Sequence, residues 1–218
     1  MPQAIEQALA AAAGDSCLIG QVLVRDTPDG FMLLHRDDRE KDDLHEYRQP
    51  EDAIEIARWD DNGSYRPLKT APNLSHGWKM KLVDRGTLSR ALDYFYPGRL
   101  PVFEAWRHNR LVTTPLRETL ERQSGMYRVA ASISDAQIDQ LVGSFCRSNG
   151  GCLRTILWKR DQSGTTPSSK LPPEKFDPSL DQANGPQSVT QIPVIPLLCQ
   201  EACNLLVNEC RKIVKTAE

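Results

Sequence analysis

The sequence predicts an α+β fold, in which a small mixed N-terminal part, residues 17–85, packs on a mostly helical C-terminal part, residues 86–218. Strand and turn signals are concentrated in the first part. In the second part, apolar residues recur at helical spacing between capping and breaking residues. The 218 residues are enough for a substantial core in one large domain or two small ones.

The first part opens with a hairpin signal. Two apolar runs, CLIGQVLVR and GFMLLHR, are joined by DTPDG, whose Pro28, Asp29 and Gly30 are typical turn residues. The mixed-charge stretch RDDREKDDLHEYR is predicted to be a solvated loop or an exposed strand end. QPEDAIEIARWDDNG predicts a helix, because a proline precedes it and acidic residues fill its first turn. An alternating strand, Trp78 to Val83, follows.

The second part begins with three predicted helices: TLSRALDYFYPG, LPVFEAWRHNR and TPLRETLERQSG. MYRVAAS is predicted to be a strand. The best-marked helix is SISDAQIDQLVGSFC, in which Ser134 is the N-cap and Gln137 completes a capping box. This helix would end at Cys146, where SNGG breaks it. CLRTILW is predicted to be a further strand.

Residues 161–191 are rich in Pro, Ser, Asp and Gln and contain few apolar anchors, so we predict a long mobile loop. Loops of this length inside a domain are uncommon, and cysteine pairs lie just outside its two ends. The segment IPLLCQEACNLLVNECRKIVK predicts an amphipathic helix preceded by prolines. It would carry three cysteines on one face: Cys199, Cys203 and Cys210.

Charge and hydropathy give no reason to expect a nucleic-acid-binding, membrane-spanning or secreted protein. A net charge of −2 gives no reason to expect a nucleic-acid partner, and no apolar run approaches the ~20 residues of a membrane span. The alanine-rich start lacks the basic residues of a signal peptide and carries Glu6 and Asp15. We therefore expect a cytoplasmic protein, in which cysteines serve as metal ligands, catalytic groups or small buried hydrophobes.

Four of the six cysteines form two pairs, Cys146/Cys152 in CRSNGGC and Cys199/Cys203 in CQEAC. Buried core residues are one interpretation, although CRSNGGC is too polar and turn-like for a core. Structural zinc is a second, but zinc ligands usually have ~2–4 residues between them. The third is a [4Fe–4S] cluster, which four thiolates ligate and whose size tolerates wider gaps. Glycines beside the first pair would let main-chain N–H groups approach the sulfurs.

The spacing C-x5-C followed by C-x3-C resembles the cluster motif of sirohaem-dependent sulfite and nitrite reductases. A wider resemblance rests on four segments: ALDYFYPGRLPVFEAWR, PLRETLERQSGMYRV, LVGSFCRSNGGCLRTILW and IPLLCQEACNLL. They are similar to the iron–sulfur-binding region appended to bacterial CbiX-type sirohydrochlorin and cobalto-chelatases. This resemblance implies that the cluster ligands are Cys146, Cys152, Cys199 and Cys203. It does not extend to the chelatase domain, so it implies no chelatase activity.

These observations predict a [4Fe–4S] protein with a redox, electron-transfer or accessory role, whose partner is a redox protein or a tetrapyrrole chelatase. One alternative is a sensor or regulatory module, in which the cluster ties together the ends of the 161–191 loop. Another is a four-cysteine zinc domain that serves interactions. An enzyme in its own right is the least supported, because no GxSxG, HExxH, Walker or GxGxxG motif occurs.

The remaining cysteines and the histidines are predicted to be structural. Cys17 lies in a strand pattern, and Cys210 is expected to fill the core rather than to replace a ligand. The four histidines show no ligand spacing: His35, His45, His76 and His108. Of these, His76 and His108 are predicted to lie on the surface or to pack against neighbours.

Overall fold

A computed structural model describes residues 5–7, 16–60, 62–65, 74–146, 154–164, 166–167 and 192–217. It confirms the α+β class, with helices and a mixed sheet. The strands of the described residues are β1 (Ser16–Ile19), β2 (Val22–Thr27), β3 (Gly30–His35), β4 (His45–Tyr47), β5 (Trp78–Leu82), β6 (Thr155–Ile156), β7 (Val194–Ile195) and β8 (Leu198–Cys199).

The α-helices of the same residues are α1 (Asp52–Arg58), α2 (Arg85–Phe95), α3 (Arg99–Arg107), α4 (Leu116–Glu121), α5 (Asp135–Leu141) and α6 (Asn204–Ala217). Two 3-10 helices cover Arg36–Asp38 and Gly125–Ser132, and α5 continues as a π-helix over Val142–Cys146. None of the helices among the described residues is long and apolar enough to cross a membrane.

Six strands form one mixed sheet in the order β4-β5-β3-β2-β1-β7. The four central strands are antiparallel, whereas β4 and β7 add to the two edges in parallel. The predicted hairpin is present between β2 and β3. The first apolar run is not a single strand, because the chain turns at Gly20 and Gln21 and pairs Ile19 with Val22.

Side chains along the strands alternate between two apolar clusters on opposite faces of the sheet, and α1, α2 and α3 contribute to the larger cluster. Trp78 of β5 stacks on Phe95 of α2 with ring centroids 5.0 Å apart. A second core is built from α4, the second 3-10 helix, α5, the π-helix and α6. The domain division at residue 85 stays a prediction. In the structure, α2 and α3 share the core of the sheet.

One secondary-structure prediction for the second part is wrong, and another is confirmed in part. MYRVAAS is a 3-10 helix rather than a strand, and it buries Ala130 while Met126 and Tyr127 stay exposed. Arg211 of α6 holds it by donating to the carbonyl of Met126. Of CLRTILW, the described residues form only the short strand β6.

The predicted C-terminal helix begins at Asn204 and is therefore much shorter than expected. Pro193 and Pro196 cannot donate main-chain hydrogen bonds, and each favours an extended residue before it. The chain here forms strands instead of a helix turn, and Cys199 lies in β8. The expectation that Cys199, Cys203 and Cys210 share one helix face is thus wrong.

Residues 193–199, which we call the linking segment, pair with both parts of the molecule. Leu18 of β1 donates its main-chain N–H to Pro193 at 2.8 Å, and β7 runs parallel to β1. Four residues later, β8 pairs in parallel with β6, where Thr155 donates to Leu197 at 2.7 Å. Most of the predicted mobile loop, 161–191, lies outside the described residues.

Gly20 provides a test of the turn between β1 and β2. Its φ is +58°, and a Cβ there would lie 2.7 Å from the Tyr96 hydroxyl oxygen and 2.8 Å from Cδ1 of Leu197. We expect Gly20→Ala to lower the free energy of unfolding by about 2–4 kcal/mol, because left-handed strain and overpacking add. Urea denaturation measures this loss.

The matched control is Gly63→Ala. Gly63 also has a positive φ, +76°, but no atom of the described residues lies within 4 Å of the added carbon. Gly63→Ala should lower the free energy of unfolding only through left-handed backbone strain, by about 1 kcal/mol. Equal losses in the two variants would contradict the close packing around Gly20.

Candidate metal centre

Three of the four cysteines predicted as ligands line one cavity of the second core: Cys146, Cys199 and Cys203. Cys152 lies outside the described residues. The remaining lining residues are mostly apolar: Phe145, Arg154, Ile156, Trp158, Ala202 and Leu206. The structure therefore brings both cysteine pairs, each through at least one member, to the same place.

Cys146 reaches the cavity from α5. The predicted capping box is confirmed, because the Ser134 N–H donates to Gln137 and the Gln137 N–H donates to the Ser134 hydroxyl. The helix then widens into the π-helix and ends at the buried Cys146. π-Helical turns are rare and occur frequently at functional sites. The sequence predicted the helix and its end but not this change of winding.

Cys199 reaches the cavity from β8. Parallel pairing sets Cys199 opposite Ile156, and the chain then continues from Ile156 to Trp158. The indole N–H of Trp158, a residue that is 1% exposed, donates to the Cys199 sulfur at 3.3 Å. The thiol of Cys199 in turn donates to the Glu201 carbonyl at 3.2 Å. A thiolate at Cys199 would keep the indole bond, which charge would strengthen.

Cys203 stands at the start of α6, since its carbonyl accepts from the N–H of Val207 at 3.1 Å. The unpaired N–H groups and the positive end of a helix dipole favour a thiolate or an anionic group at this position. The helix predicted over IPLLCQEACNLLVNECRKIVK would have placed Cys199 in a helix too, but Cys199 precedes α6 in a strand.

Polar contacts from the surrounding helices and loops fix the main chain that carries Cys199 and Cys203. Arg99 of α3 donates to the Leu198 carbonyl at 3.0 Å. The N–H of Thr114 donates to the Gln200 carbonyl at 3.1 Å, and Arg122 pairs with the Glu201 carboxylate at 2.9 Å. The loop between the two cysteines is therefore positioned by the protein itself.

Cys210 and Cys17 differ from the cavity cysteines. Both are fully buried, and neither lines the cavity. Burial raises the pKa of the Cys210 thiol to about 11 and that of Cys17 to about 12. Their surroundings are those of core residues.

The cavity residues suit a group with sulfur ligands. Thiolates bind zinc and iron–sulfur clusters alike, and apolar walls keep water away from either. Arg154 and the start of α6 bring positive charge to the wall, which an anionic cluster requires. An N–H donor to a ligand sulfur is one of the features that tune a cluster's reduction potential.

The structure also joins residues that sequence reasoning kept apart. The rings of His35 and His76 have centroids 3.9 Å apart, and Nδ1 of His76 lies 3.3 Å from the Asp38 carboxylate. Only the pairing of the two strands beside these histidines could have indicated that they meet. His35 ends β3 and His76 precedes β5, and these strands are antiparallel neighbours.

Comparisons with known families divide the chain in two. Residues 4–110 match the family described as the DR2241 stabilising domain. Residues 108–212, which include all four predicted ligands, match the 4Fe–4S iron–sulfur cluster-binding domain. The chain carries a 4Fe–4S cluster-binding domain.

The chain is also similar to a solved structure, that of DR2241 from Deinococcus radiodurans. Sequence identity is 27% and the TM-score is 0.73, over 98% of this chain and 41% of that one. DR2241 is described as a multi-domain protein with structural similarity to chelatases and two additional novel domains. The expected resemblance to a chelatase-associated iron–sulfur region is confirmed. No curated protein matches.

Trp158→Phe tests the contact with Cys199. The substitution keeps an aromatic ring but removes the N–H that donates to the sulfur. We expect a more negative reduction potential in the cluster-loaded protein, on the order of 50 mV, if the bond favours the more negatively charged reduced state by about 1 kcal/mol. A redox titration followed by absorbance measures it.

The matched control is Trp106→Phe, because Trp106 packs against the first core and does not line the cavity. The reduction potential of the cluster-loaded Trp106→Phe protein should equal that of the wild type. An unchanged potential in Trp158→Phe would show that this hydrogen bond does not act on the metal centre.

Proposed function

We propose that this chain holds a [4Fe–4S] cluster through Cys146, Cys152, Cys199 and Cys203 and serves a redox or accessory role beside a tetrapyrrole chelatase. The observation that carries the proposal is the cavity: three of these cysteines line it, within a region that matches a 4Fe–4S cluster-binding domain. When bound, such a cluster supplies one-electron chemistry.

The protein's own residues support an anionic group with sulfur ligands. Trp158 donates to one ligand sulfur, and Arg154 lines the same cavity. Cys203 lies at the positive end of α6. These groups stabilise negative charge, and the apolar walls limit the access of water.

An accessory role fits the lining residues better than catalysis. Among the described residues that line the cavity there is no carboxylate or imidazole to move a proton. The link to chelation rests on DR2241, which is described as similar to chelatases and of which this chain covers 41%. A chelatase, encoded separately or in the same chain, is the partner that this similarity supports.

The sensor alternative has less support. It required the cluster to tie together the ends of the 161–191 segment. In the structure, main-chain hydrogen bonds between β6 and β8 already join residues 155–157 to residues 197–199. These bonds need no metal, so we expect the two ends to stay together when the cluster is lost.

Cysteine variants test the ligand set. After purification without oxygen and reconstitution with iron and sulfide, the wild type should show a broad absorption near ~400 nm that dithionite bleaches. Cys203→Ala should lose this band and its iron, whereas Cys210→Ala should keep both, because Cys210 lies outside the cavity. Metal analysis that finds zinc and no iron would favour the four-cysteine zinc domain instead.

A chelatase assay tests the accessory role. We expect the cluster-loaded chain to bind the CbiX-type chelatase of the same organism or to change its rate of cobalt insertion into sirohydrochlorin. The Cys203→Ala protein, which lacks one proposed cluster ligand, is the control. Neither binding nor a rate effect, together with no reversible one-electron reduction, would overturn the proposal.

A further inference from the structure

His35, Asp38 and His76 form a compact cluster at one end of the sheet, apart from the cysteine cavity. His35 ends β3, Asp38 ends the first 3-10 helix, and His76 lies two residues before β5. One ring nitrogen of each histidine and one carboxylate oxygen lie within 4.8 Å of one another. The side chains of His35 and Asp38 are fully buried, and that of His76 is 37% exposed.

His35 has an unused polar atom. The main-chain N–H of Asp37 donates to Nδ1 of His35 at 3.2 Å, so the ring proton lies on Nε2. Nε2 is buried, and no described residue forms a hydrogen bond with it. An unpaired buried donor destabilises the folded protein, so its presence needs an explanation.

Asp38 already binds a cation. One carboxylate oxygen, Oδ2, accepts from the N–H of Gly77 at 2.7 Å. The other, Oδ1, lies 2.6 Å from the ammonium of Lys41 and 3.3 Å from Nδ1 of His76. The Lys41 side chain is 57% exposed, so its ammonium can move into water and leave Oδ1 to another cation.

We propose that His35, Asp38 and His76 bind a divalent first-row transition metal ion of the zinc class. Two imidazoles and one carboxylate are a common ligand set for such ions, whereas Mg²⁺ and Ca²⁺ prefer oxygen ligands. The site lies among residues that match the stabilising domain and does not depend on the proposed cluster.

Binding requires a proton shift on His35. Coordination through Nε2 moves the ring proton to Nδ1, so the hydrogen bond that Nδ1 accepts from the Asp37 N–H is lost. The Asp37 carboxylate lies 3.7 Å from Nδ1 and accepts the new N–H once it moves closer. A carboxylate behind a metal-bound histidine is the usual means of fixing the ring. The ion would connect the end of β3 to the start of β5, and the partly exposed His76 gives it a path of entry.

Cobalt binding tests the site. The full chain, without a histidine tag and with its cluster reconstituted so that the cavity cysteines are occupied, is dialysed against Co²⁺ and its metal content measured. We expect one equivalent of Co²⁺, without the intense thiolate-to-metal absorption that cysteine ligands give. His76→Ala should weaken binding at least about 100-fold, because it removes one of three ligands.

Two further variants sharpen the test. His45→Ala is the matched control: this exposed histidine packs edge to face with Tyr47 outside the cluster, and its loss should leave Co²⁺ binding unchanged. Lys41→Ala removes the competing ammonium and should tighten binding. No bound Co²⁺, or equal Co²⁺ affinity in the wild type and His76→Ala, would each overturn the proposal.

Discussion

The main-chain hydrogen bonds of the linking segment determine how the rest of the molecule is arranged. Its first strand completes the edge of the six-stranded sheet beside β1, and its second pairs with β6 in the other part. Its side chains Ile195, Leu197 and Leu198 enter the core of the sheet, while Cys199 packs against the second core. A one-residue slip of β8 would turn Leu198 rather than Cys199 toward Trp158.

The two candidate metal sites differ in the chemistry of their donors. The cavity offers sulfur from Cys146, Cys199 and Cys203, whereas the cluster at the end of the sheet offers nitrogen and oxygen. Soft thiolates and harder imidazole–carboxylate sets prefer different metals, so one chain can separate two ions by ligand type. Among the described residues, the charged one that lines the cavity is Arg154, while the histidine cluster contains the buried carboxylate of Asp38.

Features encoded by neighbouring residues could be predicted from the sequence. The β2–β3 hairpin follows from its turn residues, the start of α5 from its capping box, and the cysteine pairs from their spacing. Features that depend on partners distant in the sequence could not be predicted. Helical spacing suggested that Cys199 begins a helix, but pairing with β6 made it a strand residue. His35 and His76 meet only because β3 and β5 are neighbours in the sheet.

The parallel pairing of Leu18 with Val194 also has a consequence for how the chain reaches its native state. Contacts between residues so far apart in sequence close a very large loop, and proteins rich in such contacts fold slowly. During synthesis, the edge of β1 has no partner until the linking segment has emerged from the ribosome. An open strand edge invites pairing with other chains. Aggregation of nascent or truncated chains is therefore a characteristic hazard of this topology.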